Sequence, residues 1–177
     1  KGGTDAIIEF FGLGTPSISC TGKATITNMG AEVGATTSVF PFDERMADYL
    51  NATGRADVAK LAQQHRDELI ADPEVEQDPK RFFDQLIEIN LSSLEPYIVG
   101  PRRPDAARPI SQLAKDVEQG AYPPQIKAAL IGSCTNSSYE DIGRAASVAR
   151  QASVAGVRAK VYFLITPGSD QIYNTIQ

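Results

Sequence analysis

Apolar and polar positions along the chain change their period several times, and each change marks an element. "AIIEFFG" (residues 6–12) is a short apolar run closed by glycine, the pattern of a strand. "SISCTGKATITNMG" then leads into a glycine-bearing stretch whose spacing predicts a helix around residues 28–39. "FPFDERMADYLNATGR" offers Asp43 as an N-cap, Met46 and Leu50 as a buried stripe and Gly54 as the stop of a further helix. In "ADVAKLAQQHRDELI", Val58, Leu61, Ala62, His65 and Leu69 fall on one helical face. "DQLIEINLSSL" alternates Ile87, Ile89 and Leu91 against Glu88 and Asn90, which predicts a strand with one wet face.

The stretch 99–124 differs in kind. It holds five of the chain's eleven prolines and reads as a connector between domains. From residue 125 the pattern is β–α–β. Residues 126–131 form an apolar strand. Ser137 with Glu140 three positions later matches a capping box for a helix running to about Ala155, with Gly156 as its stop. "AKVYFLITPG" is the next strand, and Ser169 the cap of a further helix. The expected fold is therefore α/β, with repeated strand–helix units and mostly parallel sheets, divided as 1–98, 99–124 and 125–177. Two successive strands end in polar, glycine-bearing turns on one sheet edge, which is where α/β proteins place ligands.

Composition narrows the chemistry. The chain has 177 residues, a net charge of -5, two cysteines, one histidine and no tryptophan. An acidic chain whose densest basic cluster, Arg102 and Arg103 with Arg108 nearby, is broken by prolines lacks the surface that nucleic acid requires. No apolar run approaches membrane-spanning length. With Lys1 first and no initiator Met, the start reads as an internal cut. Two distant cysteines make no disulfide framework, and one histidine leaves little material for a hydrolytic triad or a histidine-ligated metal.

What remains is Cys134 in "LIGSCTNSS", at the carboxyl end of a strand and the start of a helix. Free N–H groups and the helix dipole there favour a thiolate. Ser133, Thr135, Asn136, Ser137 and Ser138 surround it with donors. A buried structural thiol is the competing account. One thiolate cannot hold an iron–sulfur cluster, and Cys20 has no His, Asp or Cys near it in sequence. In "TNMGAEVGATTS", Asn28 and Glu32 are four apart, on one face of a helix, while Gly30 and Gly34 permit close approach of a ligand or another element. On spacing alone, helix packing with Glu32 in solvent is the plainer account. His65 reads as a half-buried packing residue and "TPGSDQ" as an anion-binding turn.

The combination "TNMGAEVGATTSVFP", "LIGSCTNSSYEDIGRAA" and "ITPGSDQI", together with "SISCTG" and "QLIEINLSSLEPYI", resembles the aconitase family in its mitochondrial form over nearly the whole chain. The resemblance implies an aconitate hydratase of the tricarboxylic acid cycle in the mitochondrial matrix, interconverting citrate and isocitrate through cis-aconitate. It implies a 4Fe–4S cluster held by three cysteines, acting as a Lewis acid. Cys134 matches one cluster ligand, and Glu32 and Asn28 match catalytic residues beside it. The other two ligands and the remaining substrate-binding and catalytic residues match nothing in this chain. The segment then corresponds to the end of the family's second domain (1–98), the connector (99–124) and the first half of its third (125–177), inactive by itself. Its partners would be the tricarboxylate substrate and the remainder of the parent chain, with no membrane and no nucleic acid. A related homoaconitate or isopropylmalate dehydratase, and an RNA-binding apo form of an aconitase-like protein, are the alternatives.

Overall fold

The computed structural model describes residues 2–103, 105–132 and 134–177. They divide into two units, one ending at Ile87 and one beginning at Glu88.

In the first unit, β1 (Ile7–Glu9) pairs in parallel with β2 (Thr37–Val39), placing Ile8 opposite Ser38. The crossover holds α1 (Cys20–Met29), started by Ser19, whose hydroxyl accepts from the Gly22 N–H at 3.1 Å. The chain then tightens into a 3-10 turn, Gly30–Val33, and leaves it through Gly34 at φ +90°. The helix expected around 28–39 is thus the last turn of α1, a 3-10 turn and a strand. Gly34 takes a left-handed conformation that ends helical winding, and the β-branched Thr36 and Thr37 favour extension.

Asp43 caps α2 (Glu44–Ala52) as expected, accepting from the Met46 N–H at 3.1 Å. Its second carboxylate oxygen pairs with Lys23 of α1, which is 2% exposed. Phe40, just after β2, lies beneath the Lys23 ammonium and stacks on Phe10 with ring centroids 4.4 Å apart. Phe40, Phe42, Ala47 and Ala59 are the buried apolar residues here. A helix α3 (Ala56–Gln64) packs on α2, and α4 (Pro73–Gln77) follows. Winding on α3 stops before Leu69, as the chain passes into a 3-10 turn at Arg66–Glu68. Val58, Leu61 and Leu69 stay exposed, and so does His65, whose Nδ1 lies 3.3 Å from Glu68 Oε1. The half-buried packing role expected of His65 is not found, since α3 turns only its small Ala59 fully inward.

The alternating segment at 87–91 forms no strand among the described residues. Ile87 and Ile89 are 72% and 60% exposed, because no neighbouring strand supplies the ladder that alternation requires. A short antiparallel pair, β3 (Tyr97–Val99) and β4 (Ala107–Pro109), leads to α5 (Leu113–Glu118). Arg108 of β4 lies 3.1 Å from Asp116 of α5 and 5.0 Å from the Tyr122 ring centre, and the Tyr122 hydroxyl donates to the Gly100 carbonyl. Pro104, one of the prolines that break the basic cluster, lies outside the described residues.

The rest is the expected β–α–β unit: β5 (Ala128–Gly132), α6 (Tyr139–Val154) and β6 (Tyr162–Thr166), with α7 (Asp170–Ile176) after it. β5 and β6 are parallel, Leu130 opposite Leu164 and Gly132 opposite Thr166. All five residues of β6 are exposed, apolar Phe163 and Ile165 on one face and Tyr162 and Leu164 on the other. The capping box sits one residue later than its sequence pattern suggested. Ser138 accepts from the Asp141 N–H at 3.2 Å, and the Asp141 carboxylate accepts from the Ser138 N–H at 3.2 Å. Aspartate fills the glutamate role because its shorter carboxylate still reaches the cap N–H. Ser138→Ala is expected to lower stability by about 1 kcal/mol, typical of a lost N-cap; a urea unfolding midpoint no lower than wild type would contradict it.

Candidate functional site

The structure places the three sequence-selected residues at the ends of regular elements, Cys134 in the second unit and Asn28 and Glu32 in the first.

Cys134 follows β5 and is exposed in this segment. Its loop is pinned at both ends. On one side Gly132 pairs with Thr166 at the end of β6, at φ +108° and so close that a Cβ there would overlap the Thr166 carbonyl oxygen. On the other side Ser137, 2% exposed, donates its hydroxyl to the Cys134 carbonyl at 2.8 Å. The Ser137 carbonyl accepts from the Gly168 N–H at 3.0 Å. The turn read as an anion site therefore spends that N–H on a protein carbonyl. Ser133 lies outside the described residues, while Thr135 is half-buried and Asn136 exposed.

Asn28 closes α1 and Glu32 rides the 3-10 turn, so the four-residue spacing does not put them on one face of a single α-helix. Both are exposed. Asn28, Thr27, Gly30, Thr36 and Ser38 line a shallow cleft of about 380 Å³. Gly30 is needed there, since a Cβ would overlap the Ser38 hydroxyl. Ser38 Oγ is buried without a hydrogen-bond partner among the described residues. Such an orphan is uncommon in folded proteins and marks this wall as fit for a polar group.

Cys20, half-buried on α1, has its thiol pushed up by burial, against the opposing pull of the nearby Lys23 ammonium. It stays a neutral thiol, consistent with a packing role.

Among the described residues no group of three or more His, Cys, Asp and Glu is arranged to hold a metal ion. Cys134 fits as one soft donor of a larger set. Sequence reasoning missed Lys23, Asp43 Oδ2 and the Gly168–Ser137 contact. Only a lysine in an otherwise small and polar helix, "CTGKATITNM", hinted at the first.

An α/β protein with an exposed thiol and a polar cleft at its element ends is the class these features define. The chain belongs to the aconitase family: that family's model, described as aconitate hydratase, matches residues 1–177. It is 56% identical over 177 residues to the probable mitochondrial aconitate hydratase of Dictyostelium discoideum, covering 100% of this chain and 22% of that protein. To the mitochondrial aconitate hydratase of Gracilaria gracilis it is 55% identical over 176 residues, with 99% and 22% covered. The Caenorhabditis elegans protein of the same description, marked probable, is 52% identical over 177 residues, with 100% and 22% covered. The chain thus spans about a fifth of the length of the curated relatives it matches. The family implies a 4Fe–4S cluster.

Proposed function

We propose that this chain is part of a mitochondrial-matrix aconitate hydratase, interconverting citrate and isocitrate through cis-aconitate, and that it supplies one of the three cluster thiolates, Cys134. The observation that carries the reading is the exposed Cys134 thiol, on a loop pinned at the end of β5, in a chain matched end to end by the aconitase model. When bound, the cluster supplies a Lewis-acidic iron for the substrate's oxygens. Glu32 exchanges a proton with the hydroxyl that leaves and returns as water. Its exposed position on a 3-10 turn gives the carboxylate access without burying its charge. Asn28, which lines the same cleft as the unsatisfied Ser38 hydroxyl, contributes its amide to a polar occupant of that cleft. Residues 1–98, 99–124 and 125–177 are then the end of one domain, a connector and the first half of the next.

The test is Cys134→Ser in the intact polypeptide carrying this segment. Iron and sulfide content and citrate turnover are expected to fall to background while the protein remains folded. Retention of a full cluster would overturn the assignment. Comparing citrate with homocitrate and isopropylmalate on the wild type separates this activity from that of related dehydratases, and turnover of isopropylmalate alone would replace the reading.

A further inference from the structure

The turn after β6, which the function above leaves without a task, lies against the Cys134 loop. We propose that Ser137 and Gly168 are positioning residues that hold Cys134 in register for metal ligation, an inference that rests on Cys134 being a ligand.

Three observations converge. First, Ser137 is 2% exposed, and its hydroxyl goes to the Cys134 carbonyl at 2.8 Å. A buried hydroxyl needs a partner, and this one takes the backbone of the ligating residue. The bond leaves the thiol itself free. Second, the Ser137 carbonyl accepts the Gly168 N–H at 3.0 Å, so the residue that grips Cys134 is itself gripped by the next loop. Third, Gly168 sits where a larger residue would force Ser137 to move. A Cβ there would stand 2.6 Å from Ser137 Oγ and 3.2 Å from the Ser137 carbonyl oxygen.

With Gly132 locked to Thr166 on the other side, the Cys134 loop is anchored to the β6–α7 connection at both ends. Ser138 then starts α6 with a full capping box, so the anchor continues into a sixteen-residue helix. A ligand held this way loses little freedom when it binds metal, the advantage a supporting shell gives to a first-shell donor. α7 has only seven residues and the Gly168 N–H is already engaged, which leaves clamping as the turn's role.

The test uses the intact polypeptide with Ser137→Ala, Gly168→Ala and the double variant. In the apo-protein, hydrogen exchange at the Gly168 amide, which donates to the Ser137 carbonyl, is expected to quicken about tenfold in each single variant, with α6 amides unchanged. In the loaded protein the half-life of the cluster under a chelator is expected to shorten by a similar factor, with KM for citrate unchanged. The double variant should fall short of the summed effects, because Ser137→Ala removes the atom that a Gly168 methyl would strike. If Gly168→Ala fails to fold, Ser137→Ala alone carries the test. Faster exchange with unaltered cluster loss would overturn the positioning role, as would a lower Tm with exchange at the Gly168 amide unchanged. Cys134→Ser in the same series reports on the ligand assignment separately: if that variant keeps its iron, the assignment fails and the exchange data stand on their own.

Discussion

Gly132→Ala is expected to destabilise the folded protein by about 2–6 kcal/mol, combining left-handed backbone strain with overpacking. The two costs arise at one atom. At φ +108° an added side chain is strained wherever it points, and here it points at the Thr166 carbonyl. The neighbouring strand cannot give way cheaply, because Thr166 is the last rung of the parallel ladder with β5. A control lies on the same unit. Gly143 on α6 has open space where a Cβ would stand, so Gly143→Ala is expected to be neutral or to stabilise by up to about 1 kcal/mol through helix propensity. Denaturant midpoints of the two variants measure the contrast. If both shift alike, the ladder does not close on Thr166 as described.

Asp43→Ala is expected to be as damaging, by a different route. Removing the carboxylate deletes the N-cap of α2, worth about 1 kcal/mol. It also strands the Lys23 ammonium, whose side chain is 3% exposed, and a buried charge left without its partner costs about 3–5 kcal/mol. The asymmetry is the sharper expectation. Lys23→Met leaves Asp43 partly exposed and still capping Met46, so it should cost far less. Lys23→Met with Asp43→Asn removes both charges yet keeps a capping side chain, and its stability should approach that of wild type. Unfolding free energies around this cycle give the coupling directly. Equal losses for Asp43→Ala and Lys23→Met would mean that the ion pair is not buried as described.

The elements legible in the sequence are those whose signal is local. Asp43 and Ser169 announce their helices because a cap acts over three residues, and β5 and β6 announce themselves through uninterrupted apolar runs. Cys134 could be selected from its chemistry and its place at a strand end. The misreadings needed information from elsewhere in the chain. Residues 87–91 alternate like a strand but have no partner to pair with among the described residues. Whether Asn28 and Glu32 share a helix face turned on where α1 gives way to the 3-10 turn, at Gly30 between them. Ser137 and Ser138 are adjacent and chemically identical, so only the arrival of Gly168 decides which is buried and which caps α6. The Lys23–Asp43 pair spans twenty residues and leaves no periodic trace.

The openness of β6 has a consequence for handling the segment. Tyr162–Thr166 is an uncharged run of aromatic and branched residues, free of proline, with apolar groups on both faces and every position exposed. Those are the attributes of a strand that recruits further strands, including those of other molecules. Expressed alone, the segment would lose colloidal stability through this strand before it lost its secondary structure, and its solubility would depend on protein concentration more than on temperature. A single lysine at Leu164 would act as a gatekeeper against that association.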